Sequence, residues 1–324
     1  MKKLRVGVIG VGYFGQFHAE KYHRMDEVEL VGVADINPTR SRKIARGFNT
    51  NAYNNYEDLY DKVDAVSIAV PTPIHYHVTK DFFNRGIDVL LEKPITNTLR
   101  HADELIEIAE KRQCVFQVGH QERFNAVIMA LEGSLIDPMF IESHRLSPFL
   151  QRAAGVDVVL DLMIHDIQVI LSMVDSPIQS IQAVGVPIVS PNLDIANARI
   201  EFENGCIANV TASRVSKEKM RKIRIFQSTA YFSIDYVSQG ITVLSKDSKG
   251  RKPLFPGVFA EDIEIAKNDP LELEIKSFVE RVRDRKLPLV SGLDGKKALE
   301  VALRITDQIQ RNIDKRKKFS GFMV

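Results

Sequence analysis

Three groups of residues in this chain have the types and spacing to do chemistry. Gly10, Gly12 and Gly15 stand in G-x-G-x-x-G spacing within "VGVIGVGYFGQFHAEKY". Following a strand and opening a helix, such a loop suits a pyrophosphate. Gly10 allows the tight turn, Gly12 lets the backbone approach the anion, Gly15 lets helix pack on strand, and the helix N-terminus faces the charge. Tyr13 and Phe14 lie inside the loop and join the candidate cofactor residues. An acid about 20 residues further on should meet the adenosine ribose, and Asp35 in "VGVADINP" stands there. Its carboxylate suits ribose hydroxyls and repels a 2′-phosphate, which favours NAD over NADP, while the nearby Arg40 weakens that preference.

The second group is Lys93, which closes the apolar run of "IDVLLEKPITN" between Glu92 and Pro94. A strand-end lysine is commonly just a solvated charge. Ligands of a doubly wound sheet, however, bind outside the carboxyl ends of its strands, and Pro94 biases Lys93 toward an extended backbone that directs its side chain. The third group is Asp161 and His165 in "GVDVVLDLMIHDIQVI", four apart and so on one helix face. Val158, Val159, Leu162 and Ile164 bury that helix, where an unmatched acid and imidazole are costly. A satisfied core pair, or a helix-start acid at Asp161, is the structural alternative. A lysine, a histidine and a carboxylate beside a nicotinamide are what alcohol oxidation needs. Hydride leaves carbon as a proton leaves oxygen, so a base near neutral pKa and a cation at the developing alkoxide both lower the barrier.

The elements that must position these groups read as two kinds. Up to Gly119, apolar runs ("LRVGVIG", "VELVGVAD", "DAVSIAV", "IDVLL", "CVFQVG") alternate with helical stretches such as "PTRSRKIARGF" and "TLRHADELIEIAEKRQ". Continuous apolar strands separated by helices predict a doubly wound parallel sheet of about six strands. A helix over 156–173 then precedes strand-like stretches expected to form a mainly antiparallel sheet, with a hairpin turn at "ENGC", where Asn-Gly supplies positive φ. "PLELEIKSFVERVRDRK" and "GKKALEVALRITDQIQRNI" return to helical period. The predicted organisation is an α/β chain: an NAD-binding Rossmann domain over 1–120 and an α+β domain with a large open sheet over 121–324, whose closing helices pack back on the first domain.

Bulk properties bound the rest. The 324 residues suit two domains. A net charge of +2, from 44 basic and 42 acidic residues, gives no reason to expect nucleic acid or a membrane. No stretch approaches the roughly 20 apolar residues of a membrane span. Cys114 and Cys206 fit no zinc or CxxC spacing, so no metal is expected, and a reducing cytoplasm is.

The glycine loop, "EKP" at 92–94, the Asp161/His165 pair and the closing "LPLVSGLDGKKALEVALRI" together resemble the glucose–fructose oxidoreductase/inositol dehydrogenase/MocA family over essentially the whole chain. The resemblance implies a Rossmann domain plus an open antiparallel sheet that packs subunits into homodimers or homotetramers. It implies that Lys93 contacts the reacting hydroxyl next to a cis Lys93–Pro94 peptide, that His165 is the acid/base, and that Asp161 assists it or holds the sugar. "AVPTPIH" resembles the segment lining the nicotinamide, which points to Pro71, Thr72 and His75, and Glu92 and Lys93 of "EKP" join them as cofactor residues; His77, by contrast, is expected on the helix surface.

"VGHQERFN" resembles the pattern of members that oxidise nucleotide sugars, with Ala126 where proline is usual. "FIESHRLSPF" and "NVTASRVSKEKMRKIRIFQ" further resemble the branch that oxidises the 3-hydroxyl of UDP-N-acetylglucosamine, whose keto product an aminotransferase converts to a 2,3-diamino sugar for lipid A. A UDP-sugar needs cations for its diphosphate. Arg123, Arg145 and the run Arg214, Lys217, Lys219, Arg221, Lys222, Arg224 offer them, and arginine forks suit phosphate oxygens. A solvated strand face explains the same run equally well. His120 and His144 are further candidates at the site. A sibling dehydrogenase of a free sugar, inositol or another nucleotide sugar, and a non-catalytic NAD or sugar sensor, are the competing readings.

Overall fold

The computed structural model describes residues 2–135, 137–149, 155–246 and 252–321. They form two compact units, Met1–Gln121 with Asp269–Leu299, and Glu122–Asn268 with Glu300–Val324.

The first unit opens with β1 (Leu4–Ile9), α1 (Gly15–His23), β2 (Val28–Ala34), α2 (Pro38–Gly47), β3 (Asn51–Tyr53), β4 (Ala65–Ile68), α3 (His75–Phe83), β5 (Asp88–Glu92), α4 (Leu99–Arg112) and β6 (Phe116–Gly119). Its sheet has six parallel strands in the order β3-β2-β1-β4-β5-β6, as the alternation of strand and helix signals predicts. Every residue of β4, β5 and β6 is buried, because helices cover both faces. The strand order reverses between β1 and β4, which makes the mouth beside Gly10 the switch point where such folds take ligands. α2 begins at Pro38 because Asn37 caps it, accepting the Thr39 and Arg40 N–H groups.

The second unit holds α5 (Ala126–Met129), β7 (Phe140–Leu146), α6 (Ile164–Met173), β8 (Ile178–Val186), β9 (Ile195–Phe202), β10 (Ile207–Ser213), β11 (Met220–Phe226), β12 (Ala230–Asp235), β13 (Gly240–Ser245), β14 (Lys252–Phe255) and β15 (Val258–Ile263). Its nine-stranded sheet is antiparallel except where β7 pairs with β10. Burial alternates along β7 and β9, so one face carries the core. In the β9–β10 hairpin only Gly205 has positive φ, at 87°, so glycine alone supplies the left-handed residue credited to Asn-Gly. The helix expected over 156–173 starts later, with a π-helical turn over Val159–Met163 running into α6. Asp157 stays outside it, because its Oδ1 accepts the Leu193 N–H at 2.9 Å.

Two helices close the chain. Asp269 caps α7 (Pro270–Asp284), whose Leu271, Ile275, Phe278, Val279 and Val282 join Val6, Val8, Val33 and Leu90 in the core of the first unit. α8 (Gly292–Gly321) begins in the first unit, where a Cβ at Gly295 would lie 2.7 Å from Val118 Cγ2. Later in α8, Asn312 Nδ2 donates to the Ala183 carbonyl of the second unit at 2.9 Å. Among the described residues no helix is long and apolar enough to cross a membrane.

Candidate active site

The glycine loop has the strained geometry its sequence requires. Gly10 sits at φ 80°, a conformation that residues with a Cβ rarely adopt. A Cβ at Gly15 would collide with the Gly10 carbonyl oxygen, so glycine is what lets α1 start against the turn. At Gly12 a Cβ would meet nothing nearer than Arg40 Nη1 at 3.8 Å, which leaves the backbone open to an approaching phosphate. Tyr13 and Phe14 are exposed on the loop, with their rings edge to face at 5.2 Å.

Asp35 secures this loop from the end of β2. Its Oδ2 accepts the Val11 N–H at 3.0 Å and pairs with Arg40 Nη1 at 3.2 Å, while Oδ1 accepts the Asn37 N–H at 2.8 Å. The carboxylate and the open backbone at Gly12 fit the ribose and pyrophosphate of NAD. Bound there, NAD supplies the hydride acceptor.

Lys93 is half-buried just beyond β5 and is joined to Pro94 by a cis peptide. Glu92 beneath it is buried, with Oε1 3.0 Å from His18 Nε2 and Oε2 accepting the Lys93 N–H at 3.3 Å. Burial pushes the Glu92 carboxyl up. The His18 hydrogen bond and the nearby charges of His18, Lys93 and His75 outweigh it and hold Glu92 below the usual carboxylate range. His120 is buried, and burial together with the Lys93 charge pulls its pKa down to about 3, so its imidazole is neutral.

Pro71 is exposed and Thr72 half-buried at the short turn after β4. His75, expected among residues lining the cofactor, is instead buried. Its Nδ1 lies 2.9 Å from the Pro94 carbonyl oxygen and its Nε2 2.9 Å from that of Val70. Glu274 on α7 is also fully buried, and desolvation followed by the Glu92 charge raises its carboxyl well above the ordinary carboxylate value.

In the second unit, Asp161 and His165 are half-buried where the π-helical turn passes into α6, a helix irregularity common at functional sites. The arginines expected to hold phosphate divide sharply. Arg145 is buried, its Nε 2.6 Å from Asp166 Oδ2 and its Nη1 2.7 Å from Glu122 Oε1. Its fork is therefore committed to carboxylates rather than to a ligand. Arg214 is buried as well, against Asp194 and the Val156 and Leu193 carbonyls, and so leaves the candidate phosphate cluster. Arg224 pairs with Glu142 at 2.9 Å and Lys222 with Asp235 at 3.6 Å, as a solvated strand face would arrange them. Arg123 lies 3.0 Å from Glu132, and Arg221 3.7 Å from Glu122. Lys217 and Lys219 are exposed, and His144 is half-buried on β7. The sequence reading passed over His18, Glu122, Asp166 and Asp194. His18 carried one available signal, a polar residue on the face that α1 turns to the sheet. Among the described residues no group of three or more acidic, histidine or cysteine side chains could hold a metal.

A Rossmann sheet with an open glycine loop, a carboxylate at the end of β2 and a lysine at a strand mouth, followed by an open, mainly antiparallel sheet, is the layout of a two-part NAD-dependent oxidoreductase. Comparison with known proteins agrees. Residues 4–120 match the model of the oxidoreductase family with an NAD-binding Rossmann fold, and 128–233 match the GFO/IDH/MocA C-terminal domain. The chain belongs to the Gfo/Idh/MocA family of dehydrogenases. It is 36% identical over 306 residues to the UDP-N-acetylglucosamine 3-dehydrogenase of Acidithiobacillus ferrooxidans, covering 94% of this chain and 97% of that one. A solved structure of that enzyme superposes with a TM-score of 0.92 at 35% identity, covering 96% of this chain and 99% of the other. The myo-inositol 2-dehydrogenase of Thermotoga maritima is 25% identical over 317 residues, covering 91% and 93%.

Proposed function

We propose that the protein oxidises the 3-hydroxyl of UDP-N-acetylglucosamine, passing hydride to NAD and leaving the 3-keto sugar. The carrying observation is the 36% identity to an enzyme of that activity across nearly the full length of both chains. In this reading His165 accepts the hydroxyl proton, Lys93 stabilises the oxygen as negative charge develops, and Asp161 orients His165 or the sugar. The neutral imidazole of His120 adds no competing charge beside Lys93. Lys217, Lys219, Arg123 and Arg221 remain candidates for the diphosphate, the two arginines by exchanging Glu132 and Glu122 for it, since Arg145 and Arg214 are committed internally. Cofactor contacts fall to Gly10, Gly12, Tyr13, Phe14, Gly15, Asp35, Arg40, Pro71 and Thr72, with Glu92 and Lys93 at the mouth of β5.

Three further features belong to the same proposal. The product feeds an aminotransferase that makes a 2,3-diamino sugar for lipid A. The enzyme works in the cytoplasm, which its two free thiols, Cys114 and Cys206, support. It assembles as a homodimer or homotetramer through the second sheet, where Val184 and Val186 of β8 are exposed apolar side chains.

The test is NADH formation by purified protein supplied with NAD and a panel of sugars. UDP-N-acetylglucosamine should be turned over best, with the 3-keto product identified by mass spectrometry after reductive trapping. Turnover of myo-inositol or free sugars, with none on UDP-sugars, would overturn the assignment in favour of the inositol-type reading.

A further inference from the structure

Lys93 lies in sequence between two residues that are each gripped by a buried histidine. On one side is Glu92, held by His18 Nε2 at 3.0 Å from α1. On the other is Pro94, whose carbonyl oxygen lies 2.9 Å from His75 Nδ1 on α3. His75 Nε2 in turn lies 2.9 Å from the Val70 carbonyl, and the neutral ring's single N–H serves one of the two carbonyls at a time. Glu92 completes the frame by accepting the Lys93 N–H at 3.3 Å.

Neither histidine is open to a ligand: His18 is 0% exposed and His75 1%. Packing alone does not ask for them, because a buried polar ring is costly unless it is hydrogen-bonded and an apolar side chain would fill the same space. What such a frame supplies is direction. A lysine on a flexible four-carbon stem has many rotamers, and fixing its backbone on both sides removes much of the search. His18 also stands three residues beyond Gly15 on the helix whose N-terminus faces the cofactor phosphates. The element that receives NAD therefore also steadies the carboxylate under Lys93.

We propose that His18 and His75 are positioning residues for Lys93, bracing the backbone on either side of it through Glu92 and Pro94. The proposal rests on Lys93 acting at the substrate oxygen. Because an ångström of misplacement can cost about 100-fold, His18→Phe should lower kcat by about 10- to 100-fold. The KM for the sugar and the Kd for NADH should stay within about threefold, since uniform binding is untouched. His18→Gln, whose amide can still donate to Glu92, should recover most of the loss; His75→Asn against His75→Phe makes the same comparison at the second brace.

A substrate-independent arm separates this proposal from the sugar assignment. After reductive ¹³C-methylation, the Lys93 resonance, assigned by its loss in Lys93→Arg, should move in His18→Phe and His75→Phe and return in His18→Gln and His75→Asn. The brace is overturned if that resonance is unmoved in both phenylalanine variants, whatever sugar the enzyme uses. It is equally overturned if the glutamine and asparagine variants lose as much kcat as the phenylalanine ones. Failure of the wild type on UDP-N-acetylglucosamine, with the resonance responding as expected, would reject only the sugar.

Discussion

Arg145 closes on Asp166 with two bonds, Nε to Oδ2 at 2.6 Å and Nη2 to Oδ1 at 3.2 Å, one residue after His165. These bonds make β7 the anchor for the first turn of α6, and a third contact, Nη1 to Glu122 Oε1 at 2.7 Å, gives the same guanidinium a second carboxylate. Both side chains are almost fully buried, so removing one partner strands a charge where water cannot reach it. That costs about 3–5 kcal/mol. Arg145→Met should lose stability of this order in urea unfolding, and Arg145→Lys should recover little, since a point charge cannot reproduce the fork. Pairing Arg145→Met with Asp166→Leu should restore part of the loss. A single-variant cost below about 1 kcal/mol would contradict the buried network.

Asp194 gives the acid limb of stability. Its Oδ2 accepts the Ile188, Val189 and Ser190 N–H groups at 2.7, 2.7 and 2.9 Å, and Oδ1 accepts the Ser190 hydroxyl at 2.7 Å. Burial pushes the carboxyl up, but these bonds outweigh it and bring its pKa from 3.8 down to about 2. A depressed folded-state pKa contributes stability that is present above the unfolded value and lost as pH falls through the folded one. The contribution, about 2–3 kcal/mol, should disappear between about pH 4 and pH 2. Asp194→Asn should therefore be less stable at neutral pH and show a flatter Tm-against-pH curve in the acid range. Equal slopes for the two proteins there would refute the assignment.

The difference between Arg145 as read and as found shows where sequence runs out. Gly10, Gly15 and Asp35 are legible because their jobs are local: a turn, a helix start, a strand end a fixed distance away. The apolar runs of β4 and β5 are legible because burial on both faces leaves no alternation to misread. Arg145 and Arg214 look like phosphate ligands in sequence because their true partners are brought to them only by folding, Asp166 from a following helix and Asp194 from a loop between strands. His18 was missed for the same reason, since Glu92 lies 74 residues away. The late start of α6 is likewise set by a tertiary bond, Asp157 to the Leu193 N–H, and no periodicity reports it.

Removing the acid/base and the cation should separate chemistry from cofactor binding. General base catalysis is worth about 100- to 10,000-fold, so His165→Ala should lose kcat on that scale. Lys93→Met should also lose orders of magnitude in kcat, since a positioned charge at a developing alkoxide contributes comparably. NADH binding, followed by fluorescence titration, should change little in His165→Ala. Turnover near the wild-type level in both variants would reject these roles.

Asp35 has two duties, and they respond differently to substitution. Oδ2 anchors the Val11 N–H of the glycine loop, the proposed second duty is to meet the ribose, and Arg40, half-exposed, pairs with the same oxygen at 3.2 Å. A hydrogen bond to a charged group is worth about 1.5–3 kcal/mol, or about 10- to 150-fold. Asp35→Ala should therefore weaken NAD by that factor and lower the NAD-to-NADP ratio of kcat/KM, since the charge that repels a 2′-phosphate is gone. Arg40→Ala should leave NAD use within about threefold, because an exposed ion pair contributes about 0–1 kcal/mol. It should, however, reduce whatever NADP activity Asp35→Ala uncovers, because Arg40 is then the cation available to the phosphate. Steady-state kinetics with both cofactors on the two single variants and the double variant decide the matter. An NAD preference that survives Asp35→Ala unchanged would mean that Asp35 serves the loop alone.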